Sequence, residues 1–328
     1  MTHHIAVIGG GAWGSAIASS LSGNGHNVAI LTRRDDLAAS LMDGVWPSLD
    51  GLKITPPMMA STDPAAVLAS AEAVVMVVPV AATADMLEFL KPHLPEGIPI
   101  AYAAKGLEPE SDALITDFAA TKIANPVVVL SGPSFADEVA MGKPAALVSA
   151  SLDQTSAEFI AELFIGTNVR VYSSDDPTGV AIGGAVKNVI AIASGIIAGL
   201  ELGDNARAAL MTRGLAEATR LAVALGGRQE TLFGLAGLGD MALTCSGPHS
   251  RNFAYGLALG QGIVPDGKLA EGRHSCAVIA RRGEQAGVEM PITQAVARVV
   301  AGNADIADEI SQLMARPVDT EWDKTGDR

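Results

Sequence analysis

Between Pro177 and Leu200 the chain reads PTGVAIGGAVKNVIAIASGIIAGL, and Lys187 is the only charged side chain in that run. A helix that is apolar on every face is buried rather than amphipathic, so the rest of the chain must wrap this segment from all sides. An ammonium inside it must be paired, shifted in pKa or functional, because an unpaired buried charge is too costly to keep. A structural salt bridge would satisfy that demand as well as a catalytic role would. Asp176 and Pro177 suit the N-cap and first helical positions, which starts the helix there. Gly183 and Gly184 lie one turn before the lysine and weaken the helix by about 1 kcal/mol each relative to alanine. Glycine kept at that cost lets a neighbouring backbone or a ligand come close.

With 328 residues the chain has material for two domains. A hydrophobic fraction of 49% against 18% charged residues marks it as globular rather than disordered. The net charge of −14 argues against nucleic acid or an anionic membrane surface as a partner. It also means that an anionic ligand has to be held by local Lys and Arg against a repelling global field. The two cysteines, Cys245 and Cys276, are too few for a disulfide framework and fit a reducing compartment. Cys245 sits among small residues and reads as a small core residue before it reads as a reactive thiol. Ile5 to Thr32 lacks Asp, Glu, Lys and Arg, yet its glycine clusters cut it into pieces too short for the ~20 apolar residues of a membrane span. With no basic segment and h-region at the start, the expectation is a soluble, cytoplasmic chain. No metal site is expected.

His4 to Ile8 is a short strand-like run, Gly9 to Gly14 reads GGGAWG, Ala16 to Leu21 continues as a helix, and Val28 to Leu31 is a second strand. A G-x-G-x-x-G between strand and helix, inside a unit of about 30 residues, is the dinucleotide-binding arrangement. In it Gly9 allows the tight turn, Gly11 lets backbone approach a pyrophosphate, and Gly14 lets the helix pack on the strand. The helix N-terminus offers its free N–H groups to the phosphates. An NAD site usually places an acid at the end of the second strand. Here Thr32-Arg33-Arg34 comes first and Asp35 and Asp36 follow. Two guanidiniums suit a 2′-phosphate better than a bare diol, so NADPH is favoured, with NADH allowed. A solvated basic pair is the alternative reading.

A short helix from Leu37, a proline-bearing loop from Trp46 to Pro57, a helix from Ala65 to Ser70 and a strand from Ala73 to Val78 follow, then a helix from Ala81 to Leu90. The strand from Ile98 to Ala103 runs into Lys105-Gly106-Leu107, and the strand from Val127 to Leu130 ends at Ser131-Gly132-Pro133-Ser134-Phe135. Strand C-termini of a doubly wound sheet are where ligands sit. Ala145 to Ala150, a helix from Ser156 to Ile165 and Val169 to Tyr172 complete this part, with Asp175-Asp176-Pro177 as linker. Beyond it strand signals nearly vanish. Helical patterns cover Asn205 to Leu225, Phe253 to Gly260, Glu271 to Ala286, Ile292 to Val300 and Ile306 to Met314, and the polar tail from Pro317 is expected to be loose. Ala236 to Asp240 is a glycine loop ending in an acid. Ser250-Arg251-Asn252 opens a helix with a guanidinium beside free N–H groups, an anion site by dipole and fork together. The fold class is α/β: a Rossmann-type doubly wound sheet over residues 1–176 that binds a dinucleotide, then an all-α substrate-binding domain over 177–328.

Taken in order, GGGAWG (9–14), AAKGLE (103–108), SGPSFA (131–136), GGAVKNVIAI (183–192), RGLAE (213–217), GLGD (237–240), SRN (250–252), AEG (270–272) and EMPIT (289–293) resemble the bacterial NAD(P)-dependent glycerol-3-phosphate dehydrogenases along nearly the whole chain. The resemblance implies reversible reduction of dihydroxyacetone phosphate to sn-glycerol 3-phosphate, a phospholipid precursor. It makes Lys187 the proton donor and acceptor, and has Lys105 contact both cofactor and substrate. Gly132, Ser134, Asp240, Ser250, Arg251 and Asn252 fall at substrate positions. Trp13, Arg33, Arg34, Pro79, Ala136, Arg251 and Glu271 fall at cofactor positions beside the glycine loop. Ala12 stands where the family often has a serine, Val80 replaces a serine after Pro79, and Arg273 to Val278 diverges.

The chemistry fits the residues independently. Hydride delivered to a ketone carbon leaves an alkoxide, which needs a cation or acid beside the oxygen. Lys187 could serve as acid in reduction and base in oxidation, with Asp240 holding its ammonium and Lys105 adding like charge that lowers its pKa. Arg251 and Asn252 would grip the phosphate and so orient the carbonyl. Two other readings remain at this level: a hydroxyacid dehydrogenase of the same two-domain plan, and a nucleotide-sensing protein without turnover. The apolar C-terminal helices are compatible with a homodimer.

Overall fold

The computed structural model describes residues 1–47, 52, 55–265 and 270–317. Part of the loop expected from Trp46 to Pro57, and the tail after Pro317, lie outside the described residues. The glycine fingerprint joins β1 (His4–Ile8) to α1 (Ala12–Gly23) and β2 (Asn27–Leu31), and the two strands pair in parallel, Ile5 against Val28 and Ile8 against Leu31. This crossover seeds one eight-stranded sheet. The further strands are β3 (Met59–Ser61), β4 (Ala73–Met76), β5 (Ile100–Tyr102), β6 (Val127–Ser131), β7 (Ala145–Ala150) and β8 (Val169–Ser174), in spatial order β3-β2-β1-β4-β5-β6-β7-β8. β1 to β6 run parallel, β7 is antiparallel to β6, and β8 is parallel to β7. The strand order reverses between β1 and β4, and ligands of such sheets bind where the carboxyl ends diverge.

The strands read as continuous apolar runs because both faces of the sheet are covered. Ile5 and Val7 join Ile17 and Leu21 of α1 in one core, whereas Ala6 and Ile8 join Leu68, Leu87 and Tyr102 in the core on the other face. The covering helices include α2 (Asp35–Met42), α3 (Pro64–Leu68), α4 (Thr83–Leu90), α5 (Ile115–Lys122), α6 (Ala136–Ala140) and α7 (Gln154–Glu162). The three-residue β3, α5 and the one-turn α6 were not anticipated from the sequence. Each is short, and its sequence carries no run long enough to show a period. The first helix begins at Ala12, inside the glycine motif, rather than at Ala16. The strand expected to reach Val78 stops at Met76, and a single 3-10 turn, Val80–Ala82, precedes α4.

The second half is built around α8 (Pro177–Gly199), whose residues from Val180 to Ser194 are all buried. Asp176 is more than a linker residue. Its Oδ1 accepts the Gly179 N–H at 2.8 Å, and its Oδ2 accepts the Arg228 N–H at 2.9 Å and the Thr231 hydroxyl at 2.6 Å. Around α8 lie α9 (Gly203–Ala224), α10 (Gln229–Leu232), α11 (Asp240–Thr244), α12 (Arg251–Gly260), α13 (Glu271–Gln285), α14 (Pro291–Val300) and α15 (Ile306–Met314). The crossing of α8 and α12 is backbone to backbone. A Cβ at Gly195 would lie 2.1 Å from the Phe253 carbonyl oxygen, and one at Gly256 would lie 1.9 Å from that of Ile192. This close approach carries the N-terminus of α12 toward the sheet. By length and composition α8 could cross a membrane, but 94% of its most apolar window is buried inside the protein.

Candidate active site

A cleft of about 540 Å³ opens where the carboxyl ends of β1, β4, β5 and β6 face the helices. Gly11, Ala12, Trp13 and Gly14 form one wall. Gly9 adopts the left-handed φ of 117°, and a Cβ at Gly14 would lie 2.0 Å from the Gly9 carbonyl oxygen, so both glycines are needed for the turn itself. Above Gly11 nothing lies within 4 Å of where a Cβ would stand, and no side chain caps the start of α1. An uncapped helix N-terminus under open space fits a dinucleotide pyrophosphate. Pro79, Ala136 and Glu271, all at expected cofactor positions, line the same cleft.

Arg33 and Arg34 stand exposed beyond the end of β2 and do not line this cleft. Arg34 forms a two-pronged ion pair with Asp36, with Nε 2.9 Å from Oδ1, and this pair holds the Asp36 carboxyl down to about 2. The second carboxylate of the run, Asp35, accepts the Thr62 hydroxyl at 2.7 Å. Of the basic pair, then, Arg34 arrives already partnered. Among the described ion pairs Arg33 has none.

A cluster of two lysines and one carboxylate is assembled from four elements. Lys187 on α8 donates to Asp240 Oδ1 at 2.7 Å and to the Thr244 hydroxyl at 2.8 Å. Lys105, three residues past β5, donates to Asp240 Oδ2 at 2.6 Å and to the Gly132 carbonyl at 3.0 Å. Asp240 is 1% exposed and begins α11 after a single π turn, Leu235–Gly239. Gly183 and Gly184 explain how these parts meet. A Cβ at Gly183 would lie 2.6 Å from the Ala236 carbonyl oxygen of the loop that carries Asp240. One at Gly184 would lie 2.8 Å from Ser131 Oγ and 3.4 Å from Lys105 Cγ. The two glycines before the lysine therefore admit its partners from both sides.

Burial pushes the Lys187 ammonium down to about 8; Asp240 opposes the shift and the like charge of Lys105 adds to it. Burial acting alone would raise the Asp240 carboxyl, but the two ammoniums hold it below the ordinary carboxylate value. Asp240 is therefore a fixed anion, and Lys187 is the group able to exchange a proton near neutral pH. Cys245, next to Thr244, is completely buried and its thiol is pushed up to about 12, which makes it an unreactive core residue.

Ser250 caps α12, its Oγ accepting the Phe253 N–H at 3.3 Å, and Arg251 projects exposed along the cleft. Asn252 is engaged in a relay. Its Oδ1 accepts the Gly272 N–H at 2.9 Å, its Nδ2 donates to Asn188 Oδ1 at 2.9 Å, and Asn188 in turn donates to the Lys105 carbonyl at 3.4 Å. One amide N–H of Asn252 remains for a ligand, whereas the guanidinium of Arg251 lines the cleft. Ser134 lines the cleft, whereas Gly132, in the left-handed region at φ 144°, works through its carbonyl on Lys105. Sequence reasoning did not single out Thr244, the Asn188 relay or the pair formed by His249 and Phe135, whose rings stack 4.1 Å apart with His249 Nε2 3.0 Å from Asp137 Oδ1. The stretches SGPSFA and PHSRN contained the stacked residues, but only the fold brings the two loops together.

The N-terminal and C-terminal models of the NAD-dependent glycerol-3-phosphate dehydrogenases match residues 4–157 and 176–311. The chain belongs to this family. Curated relatives named glycerol-3-phosphate dehydrogenase [NAD(P)+] from Mesorhizobium japonicum and Methylobacterium radiotolerans are 45% and 46% identical to it. Each alignment covers 97% of this chain, and 93% and 98% of the respective relatives. The crystal structure of glycerol-3-phosphate dehydrogenase from Coxiella burnetii superposes with a TM-score of 0.90 at 37% identity, covering 96% of this chain and 99% of that one. The Rossmann-type sheet followed by a helical half is thus the family's architecture.

Proposed function

We propose that the protein catalyses the reversible NAD(P)H-dependent reduction of dihydroxyacetone phosphate to sn-glycerol 3-phosphate. One observation carries the reading: two ammoniums, Lys187 and Lys105, share a single buried carboxylate where the glycine-walled cleft meets Arg251. When bound, the nicotinamide cofactor supplies the hydride. The protein's own work is on the oxygen. Lys187 Nζ gives a proton to the carbonyl oxygen as it becomes a hydroxyl, and takes it back in the oxidation. Asp240 and Thr244 keep Nζ aimed in both protonation states, and Asp240 stays ionised throughout because its two cations hold its proton affinity low. Lys105 adds positive charge beside the developing oxyanion, and Arg251 and Ser250 fix the phosphate so that its binding energy orients the ketone.

Gly9, Gly11, Ala12, Trp13 and Gly14 form the proposed pyrophosphate cradle, with Pro79, Ala136 and Glu271 further along it. We assign NADPH preference to Arg33, with Arg34 contributing once it leaves Asp36. The GLGD and SRN loops that carry Asp240 and Arg251 favour this reaction over a hydroxyacid dehydrogenase, and the set Lys187, Asp240 and Arg251 favours it over a sensor, which needs no proton donor. We further propose a division at Asp176 into dinucleotide and substrate domains, a cytoplasmic location in keeping with two free buried cysteines, and a homodimer through the apolar C-terminal helices. The test is loss of NADPH absorbance on addition of dihydroxyacetone phosphate, with NADH run beside it. Rapid loss, faster with NADPH, is expected. No loss with either cofactor, in protein that binds NADPH, would overturn the reading.

A further inference from the structure

The segment 105–114 between β5 and α5 is a stiff loop with Lys105 at its start. Leu107 and Leu114 bridge across it, the Glu108 N–H donates to the Ala113 carbonyl at 2.8 Å, and both leucines are buried in the helical core. Inside the turn, Glu108 Oε2 accepts the Glu110 N–H at 3.1 Å, the Ser111 N–H at 2.7 Å and the Ser111 hydroxyl at 2.6 Å. A loop pinned in this way moves as a unit, so a force at its tip reaches Lys105.

At the tip sits Asp112, 7% exposed and left-handed at φ 54°. That conformation is uncommon for a residue other than glycine and is worth explaining. Its carboxylate reaches across to α13, where Arg281 grips it from both sides, Nη2 to Oδ1 at 2.6 Å and Nε to Oδ2 at 3.1 Å, and Gln285 Nε2 lies 3.3 Å from Oδ2. A bidentate fork fixes orientation as well as distance. The same helix is joined to the same loop a second time, at its first turn, by the relay from the Gly272 N–H through Asn252 and Asn188 to the Lys105 carbonyl. Two tethers about two and a half helical turns apart leave the loop little freedom to rotate on α13.

We propose that Asp112 and Arg281 are positioning residues for Lys105, holding the loop so that its ammonium stays between the Gly132 carbonyl and Asp240. Neither touches the cleft. The left-handed backbone at Asp112 is what aims its side chain at α13. Lys187 reads out the arrangement, because its surroundings are Asp240, Lys105 and Glu271, with the Thr244 hydroxyl and the Cys245 thiol beside it. Asp112 itself faces Arg281, Arg282 and Gln285 on α13 and Glu108 on its own loop. If Lys105 swings away, Lys187 loses a like charge and keeps more of Asp240. Both changes raise its proton affinity.

The effect on turnover rests on the proposed reaction, but the titration of Lys187 does not. The experiment is a pH titration of the Lys187 side chain by NMR in full-length lysine-labelled protein, its signal assigned with Lys187→Arg. It is run on the parent, Asp112→Asn and Arg281→Gln. Asparagine tolerates the left-handed region as aspartate does, so the first variant removes the charge and spares the backbone. Arg281 is half-exposed and glutamine keeps an amide donor for Asp112, so the second variant decides the matter if the first fails to fold. In both variants Lys187 should titrate higher by about 0.5 unit or more, and kcat/KM for dihydroxyacetone phosphate should fall about fivefold. The double variant should be no worse than either single. A Lys187 titration unmoved in both variants would overturn the inference even if turnover falls, since a merely structural tie lowers stability without touching that lysine. Absence of turnover in the parent would sink the proposed function and leave the titration to judge this one.

Discussion

Two carboxylates in the helical half are equally hidden, Asp240 and Glu217, each 1% exposed, yet their protons behave in opposite ways. Asp240 gives one oxygen to each of two ammoniums and is held below the ordinary carboxylate value. Glu217, on α9, accepts hydrogen bonds from neutral donors at the start of α14, the Ile292 N–H at 2.6 Å, the Thr293 N–H at 3.1 Å and the Thr293 hydroxyl at 2.9 Å, and feels the charge of Arg220 without a described ion pair to it. Burial therefore raises the Glu217 carboxyl. Glu217 is a clamp that caps one helix with the side chain of another, whereas Asp240 is the anion that gathers two cations in the cleft. Burial decides how much is at stake, and the charges within reach decide the direction. Depth alone would have put both residues in one class.

The comparison is tested hardest at Lys187. Lys187→Ala should cut kcat about a thousandfold in either direction while NADPH affinity stays near that of the parent, as a direct binding titration would show. Substantial turnover in that variant would strip Asp240 of its organising role and leave it as another clamp. For Glu217→Ala the loss should fall on stability instead, by about 3 kcal/mol, because two N–H groups of α14 are left buried without partners. Denaturant unfolding measures this, and kcat per folded molecule should match the parent. A large fall in kcat with unchanged stability would mean that the two carboxylates had been assigned the wrong way round.

A smaller effect separates them by pH. Since Lys187 is pushed down to about 8, kcat/KM for reduction should fall as pH rises through that value, and kcat/KM for oxidation should rise through it. The Glu217→Gln variant should show the same limb as the parent. A limb displaced in that variant would connect the clamp to the site, and a profile without a limb near 8 would remove Lys187 as the exchanging group.

How legible each region was in the sequence follows from how locally it is encoded. The β1–α1–β2 unit is written in about thirty adjacent residues, and the turn and packing roles of its glycines follow from their spacing alone. Lys187 declared itself because a lone charge in an apolar helix needs an explanation. Asp240 and Lys105 could be named through motif fragments and strand ends, but their sharing of one carboxylate is a property of the fold alone. The same holds for Thr244, for the amides of Asn188 and Asn252, and for Asp112 meeting Arg281 from the other half of the chain. Arg34 shows the opposite failure. Its partner Asp36 was visible two residues away, yet spacing alone did not say that the pair closes on itself. Glu217 lay in RGLAE and drew no attention, since nothing in that fragment announces the start of α14 that it caps.

The finest test of the comparison is the pH dependence of stability. For Glu217 the folded-state value is raised, so its contribution is fully present below its unfolded value near 4.5 and is lost as pH rises through the folded value. Glutamine keeps the shape and does not titrate, so Glu217→Gln should gain stability relative to the parent as pH rises above the unfolded value. Asp240 has a depressed folded value, and its contribution is lost only as pH falls through that value, so over the same interval it stays constant. Unfolding free energies of parent and Glu217→Gln at several pH values decide the matter. A difference that climbs with pH fits a carboxyl held up by burial among neutral donors. A flat difference would mean that three hydrogen bonds suffice to ionise Glu217 as fully as two lysines ionise Asp240, and the contrast between clamp and site would then have to rest on geometry alone.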